Sequence, residues 1–146
     1  MSADEIETHY CRYVEEVINY QHLDRLGAYL TSGVVVHAPG VPPGLAGARQ
    51  VLASYFRGFP DFHLTIESVL ALDGDLLARL WATGTHQGAF LGLAPSGQRV
   101  SVSAFEAWRL RDARCAEQWL HLDLLELLHQ LGAAHPVEPA VHSRPS

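Results

Sequence analysis

An α+β domain, with three N-terminal helices packed against a curved antiparallel sheet, is predicted by the order in which hydrophobic periodicities occur along the chain. Apolar residues recur at helical spacing as far as Phe59, then alternate in long runs between Phe62 and His121, with the hairpin signal Asp73-Gly74 and the turn Asp112-Ala113 between runs. Segregated helices and strands place a helical layer over one sheet face, and a strongly bent sheet under such a lid encloses a conical cavity. A length of 146 residues suits one domain. Residues 1–132 hold every periodic segment, and 133–146, with three prolines and no apolar period, read as a disordered tail.

Each element has a local cause. Ser2-Ala-Asp-Glu5 has the S-x-x-E form of a capping box, and Ile6, Tyr10, Tyr13, Val14 and Val17 make the buried stripe of a helix reaching about Asn19. A short second helix, about His22 to Leu30, offers Leu23, Leu26 and Leu30 to the same core and ends near Thr31-Ser32-Gly33. Val34-Val35-Val36-His37 is an early strand. The next segment, Ala38 to Gly44, contains three prolines and is a loop. A third helix, about Ala48 to Arg57, turns Val51, Leu52, Tyr55, Phe56 and Phe59 inward and is stopped by Pro60. Strands are then expected over 62–72, 76–86, 99–111 and 114–121, with a Gly/Pro-rich loop at 88–97 and a closing helix from Asp123 to Leu131 ended by Gly132.

Composition narrows the function. Ten Lys and Arg against 16 Asp and Glu give a net charge of −6, a poor match for a phosphate-tracking surface, so nucleic acid is not an expected partner. No apolar run approaches membrane-spanning length and the first residues are acidic, so a soluble cytoplasmic protein is expected. Cys11 and Cys115 fit no disulfide or zinc spacing and read as reduced core thiols. Nine histidines stand out, but His9, His22, His129, His135 and His142 fall on helices or the tail, and His63 is ambiguous. His37, His86 and His121 remain, each near a strand end.

On the last strand, alternation places Glu117, Trp119, His121 and Asp123 on one face and Ala116, Gln118, Leu120 and Leu122 on the other. An aromatic, an imidazole and a carboxylate in line make a pocket wall with acid/base capacity. Asp123-Leu-Leu-Glu126 also has the form of a helix cap, and both roles are open to Asp123. His121-x-Asp123 has the H-x-D form of a two-His-one-carboxylate iron site, but no second histidine follows in suitable context, so neither metal nor cofactor is expected.

The string Gly84-Thr-His-Gln-Gly-Ala-Phe-Leu-Gly-Leu-Ala-Pro-Ser-Gly97, then Arg109, then Glu117-Gln-Trp119-Leu-His-Leu-Asp123 and Leu127-Leu-His-Gln-Leu-Gly132 resembles the SnoaL-like polyketide cyclases. Those proteins show G-T-H-x-G-x-F-x-G-x-x-P-T-G, an Arg ten residues before the Trp of E-H-W-x-x-x-D, and a closing L-x-x-Q-L-G. Val35-Val-His-Ala-Pro-Gly40 and Gly58-Phe-Pro-Asp-Phe62 are also similar, so the resemblance spans about Tyr10 to Gly132. Ser103 stands where several relatives carry a histidine, and Gln118 replaces the His of E-H-W.

The resemblance implies an NTF2-like cone and an intramolecular aldol closure of a polyketide-like small molecule, without cofactor. It assigns acid/base chemistry to Asp123, with His121 as the neighbouring donor for an enolate oxygen. The implied pocket lining is Tyr13, His37, Phe59, His86, Ser103, Phe105, Arg109 and Trp119. A homodimer is expected, because exposed sheet faces of such small cones are usually covered by a partner. Other outcomes on the same fold are an isomerase, an epoxide hydrolase, a hydroxylation component, or a non-catalytic binder of a hydrophobic ring compound.

Overall fold

The first helix begins as its capping box dictates. The Ser2 hydroxyl accepts the Glu5 N–H at 3.1 Å, and the Glu5 carboxylate accepts the Ser2 N–H at 3.0 Å. In the computed structural model, which describes residues 1–38 and 40–133, this helix, α1, spans Ala3–Tyr13 and buries Ile6, Tyr10 and Tyr13. The expected tail lies outside the described residues except for Ala133. Beyond Tyr13 the coil continues to Asn19, but widened to π-helical over Val14–Asn19. Its end is fastened to the sheet: the Asn19 amide donates to the Leu64 carbonyl at 3.1 Å and its oxygen accepts the Leu64 N–H at 2.8 Å.

The second helix is shorter than its apolar spacing suggests, a 3-10 segment over Leu23–Ala28, because Leu30 already belongs to strand β1, Leu30–Val36. Helix α2 covers Gly44–Gly58, starting earlier than the apolar pattern alone indicates. Strands β2 (His63–Leu72), β3 (Asp75–Thr85), β4 (Arg99–Arg111) and β5 (Arg114–Leu122) follow, and α3 (Leu124–Gln130) closes the described chain. Both tight turns carry the positive φ that two-residue hairpins need: Asp73 and Gly74 at 49° and 82°, Asp112 and Ala113 at 51° and 65°.

The sheet order is β1-β5-β4-β3-β2. Pairs joined by hairpins are antiparallel, and so is β3–β4, but β1 lies parallel to β5. The wholly antiparallel expectation is corrected at that edge. A hairpin forces its strands to reverse, whereas β1 meets β5 only after the intervening chain has folded, and no short turn sets its direction.

The inward rows are Leu76, Ala78, Leu80 and Ala82 on β3, and Val100, Val102, Ala104, Glu106 and Trp108 on β4. Glu106 and Trp108 meet α1, while Ala82, Val100 and Val102 face Tyr55, Phe59 and Leu127. Tyr10 and Tyr13 meet the Trp108 indole edge-on at 5.1 and 4.8 Å. These rings fill much of the space that a bent sheet and a helical lid would otherwise leave open, so the expected conical cavity is largely occupied by aromatic side chains.

The loop after β3 is welded to the end of α2. Gln87 and Gly88 N–H groups both donate to the Gly58 carbonyl, at 3.0 and 3.1 Å. A Cβ at Gly88 would lie 1.9 Å from the Arg57 carbonyl oxygen, so only glycine permits the approach. Gly88→Ala is expected to lower unfolding free energy by about 1–3 kcal/mol, the usual cost of overpacking, as read from urea denaturation.

Candidate functional site

Among the described residues, one carboxylate lies inside the fold. Glu106 is 1% exposed on the inward row of β4, between Ala104 and Trp108. Its Oε1 accepts the Tyr10 hydroxyl at 2.6 Å, and its Oε2 accepts the Trp108 indole N–H at 3.0 Å and the Gln118 amide at 2.5 Å. The Gln118 amide also donates to the Tyr13 hydroxyl at 3.4 Å. Burial pushes the Glu106 carboxyl up while its three donors pull it down, and burial prevails. The Tyr10 phenol is held well above its ordinary range by burial and by the neighbouring Glu106. Glu106 was not among the residues expected at a site, although a carboxylate breaking an apolar strand row is a sequence-visible signal.

The last strand is turned opposite to the expectation. Gln118, Leu120 and Leu122 share the inner side with Glu106, whereas Trp119 and His121 lie outside, opposite Ala107 and Phe105. The cause is a β-bulge. Leu110 pairs with Cys115 but Arg109 pairs with Glu117, so Ala116 is an extra residue on β5. Cys115 is buried, and strict alternation from it would carry Glu117, Trp119 and His121 inward; one added residue exchanges the faces.

Six expected site residues stand on the outer face, three of them on β4, where they alternate with the inward Ala104, Glu106 and Trp108. His37 stacks on Trp119 at 4.5 Å with the rings 5° apart, and its Nε2 is 2.6 Å from Glu117 Oε2. Arg109 pairs with Asp75 at 3.5 Å and Glu117 at 3.6 Å. Phe105 and His121 are opposite one another, and Ser103 is opposite Trp81. Of these, Arg109 and Trp119 line an open groove of about 450 Å³ whose other walls include Leu70, Leu72 and Leu77.

Asp123 occupies the junction between β5 and α3. Its side chain accepts the Glu126 N–H at 3.2 Å, the geometry of a helix cap. Its Oδ2 has no hydrogen-bond partner among the described residues. Leu122 and Leu127, on either side of this junction, line an interior void together with Tyr55, Phe59, Phe62, Val100 and Val102. The void is small, about 10 Å³, enough for roughly one water.

The remaining expected residues lie inside. Tyr13 is buried beside Gln118, Phe59 walls the void, and His86 is fully buried with its ring 5.5 Å from Phe59. Thus Tyr13, Phe59 and His86 are interior, Asp123 is exposed at the start of α3 next to the void-lining Leu122, and the other six are outside. Among the described residues no three His, Cys, Asp or Glu side chains gather as a metal site.

A bent sheet closed by α1, α2 and a short C-terminal helix, with its polar groups projecting inward from β4 and β5, defines the NTF2-like cone class. Within that class the chain belongs to the SnoaL-like polyketide cyclase family, whose model matches residues 8–131. TsrD from Streptomyces laurentii is 25% identical, with a TM-score of 0.85 over 92% of this chain and 99% of that one. AclR from Streptomyces galilaeus, a proposed hydroxylase, is 27% identical, with a TM-score of 0.80 over 97% and 90%. A SnoaL-like polyketide cyclase from Agrobacterium tumefaciens is 26% identical, with a TM-score of 0.75 over 90% and 100%.

The buried cluster sets a pH signature. A carboxyl raised by folding binds its proton more tightly in the native state, so it contributes stability below the ordinary carboxylate range and loses it as pH rises through its own raised value. Glu106→Gln removes that titration. The stability difference between wild type and Glu106→Gln is expected to shrink with rising pH above the ordinary carboxylate range, by at most about 1.4 kcal/mol per pH unit, in urea titrations across pH 4–8. Glu106→Ala, which strands three buried donors, should cost about 3 kcal/mol or more at any pH.

Proposed function

We propose that the protein is a cyclase that closes a ring in a polyketide-like small molecule by intramolecular aldol condensation, using side-chain carboxylates for proton transfer. The observation that carries this reading is the family match over residues 8–131, which includes the motif ending in Asp123. In the reaction a base removes a proton from a carbon between two carbonyls, and the resulting enolate carbon attacks a third carbonyl of the same chain. A carbon–carbon bond forms, the π pair passes to oxygen, and that alkoxide takes a proton. Holding the chain folded supplies an entropic advantage.

Asp123 is assigned the proton-transferring role, supported by its Oδ2, which has no hydrogen-bond partner among the described residues, and by its place next to Leu122, which lines the interior void. A carboxylate here can cap the helix through Oδ1 and exchange a proton through Oδ2. His121 is assigned the partner role by sequence neighbourhood alone, since its ring lies on the outer face. The likeness to AclR favours a second reading, a hydroxylation-type reaction in the same cone. Oxygen from labelled dioxygen in the product would mark that chemistry, and its absence with a new ring would mark the aldol.

The same reading places a second copy of the chain over the outer sheet face. Leu70, Leu72, Leu77 and Phe105 are 64%, 64%, 50% and 49% exposed there, and in register they form one apolar surface with Ala107 and Trp119. Two-fold related copies need a self-complementary face, and this one carries both signs of charge, Arg79 and Arg109 with Glu67, Asp75 and Glu117. No described helix is long and apolar enough to cross a membrane, and Cys11 and Cys115 are unpaired, which supports a cytoplasmic setting.

Asn caps a helix as well as Asp does, so Asp123→Asn separates the two roles. Unfolding stability should stay within about 0.5 kcal/mol while cyclisation falls roughly 100- to 10,000-fold. Unchanged turnover would remove Asp123 from the chemistry. For assembly, sedimentation is expected to report twice the 16.0 kDa chain mass, and Leu77→Glu should return the monomer; a monomeric wild type would dismiss the dimer.

A further inference from the structure

The His86 imidazole is fixed on one side and unspent on the other. Its Nδ1 accepts the Ser96 backbone N–H at 3.2 Å and lies 2.8 Å from the Ser96 hydroxyl, so Nδ1 carries no proton and Nε2 does. Nε2 is buried and has no hydrogen-bond partner among the described residues, although the residue is 0% exposed. Native interiors rarely leave such a donor unsatisfied, and each one calls for a cause such as strain, a functional role, or a bound water or ion. The backbone around it is rigid: the His86 N–H donates to the Gln98 carbonyl at 2.9 Å, the Gly97 N–H donates to the His86 carbonyl at 2.8 Å, and the following residues are welded to Gly58. The donor is therefore held in place before any ligand arrives.

The position relates this donor to the interior void. Alternation along β3 turns Leu80, Ala82 and Gly84 inward, and His86 continues that row. Ala82 and Val100 line the void, and Gly84 pairs with Val100. The Phe59 ring touches both, walling the void and packing 5.5 Å from His86. Gly84 gives Phe59 its seat, since a Cβ there would come within 2.9 Å of Phe59 Cβ. The Phe59 ring offers Nε2 at best a weak π contact, which does not replace an oxygen acceptor.

We propose that the ligand site runs from the void past a displaced Phe59 ring to His86, whose Nε2–H donates to a carbonyl or enolate oxygen of a planar, oxygenated ring compound. The proposal rests on the reading of this cone as one that takes polyketide-like ligands, and adds the group that grips their oxygen. Since the void alone holds about one water, the ring takes the volume that Phe59 vacates, against Tyr55, Phe62, Leu122 and Leu127, and His86 sets which edge of it faces inward.

The test compares 1-tetralone with tetralin, the same bicycle without the carbonyl, by NMR of the isotope-labelled full chain. Tetralone should shift the His86 Nε2–H resonance downfield and bind about 3- to 10-fold more tightly than tetralin, the advantage of one neutral hydrogen bond. Tetralin should move the Leu122 and Leu127 methyl signals while leaving His86 Nε2–H unchanged. His86→Phe should reduce tetralone to the tetralin affinity. Equal affinities, methyl shifts without any response at His86, or no binding by either compound each overturn the proposal, and the wild-type measurement stands even if His86→Phe fails to fold. Cyclisation of an oligoketide with no tetralone response at His86 would retain the cyclase reading and remove this one. A His86 response without ring closure would do the reverse.

Discussion

A carboxylate that accepts three hydrogen bonds in an apolar interior determines how the first helix sits on the sheet. Glu106 receives one donor from α1 and two from inward residues of β4 and β5, so Tyr10, Trp108 and Gln118 converge on a group that none of them can leave without stranding a buried polar atom. Hydrophobic packing alone would let Tyr10 and Tyr13 slide over the Trp108 face, because area burial has little direction. The hydrogen bonds supply direction. They also settle which side of β5 is inside, since the Gln118 amide reaches both Glu106 and Tyr13.

That choice of side distributes chemistry over the two faces of the sheet. With Gln118 inward, the His37–Trp119 stack and the Arg109–Glu117 pair must face outward, where they border apolar surface rather than a cavity. The interior keeps fewer polar groups, but each is buried and aimed: Glu106 with its donors at one level of the cone, and His86 at another. Asp123 caps α3 next to Leu122, which lines the small void together with Leu127. The two faces of the same strands thereby differ in character, buried polar groups on one and exposed apolar side chains with mixed charge on the other.

Much of this was legible in the chain. The capping box at Ser2, the Asp73-Gly74 turn, the stop at Pro60 and the cap at Asp123 are local, and local interactions of these kinds are written in a few adjacent residues. Tyr13 and Phe59 were also recognisable as interior, each belonging to an inward helical row, whereas His86 read as a strand-end residue and is fully buried. Trp119 and His121 were misplaced because a bulge at Ala116 depends on the partner strand: nothing within Arg114–Leu122 itself says that two residues will face one on β4.

The amino-acid sequence by itself determined the element order, the hairpin turns, the helix boundaries set by caps and proline, and the family, because these rest on short-range sterics, hydrogen bonds and motif spacing. Tertiary structure alone decided the parallel seat of β1, the face that β5 turns inward, the three-donor environment of Glu106 and the unspent donor of His86. Each of these joins residues far apart in the chain, and a pairing of that kind acquires its geometry only when the whole core closes around it.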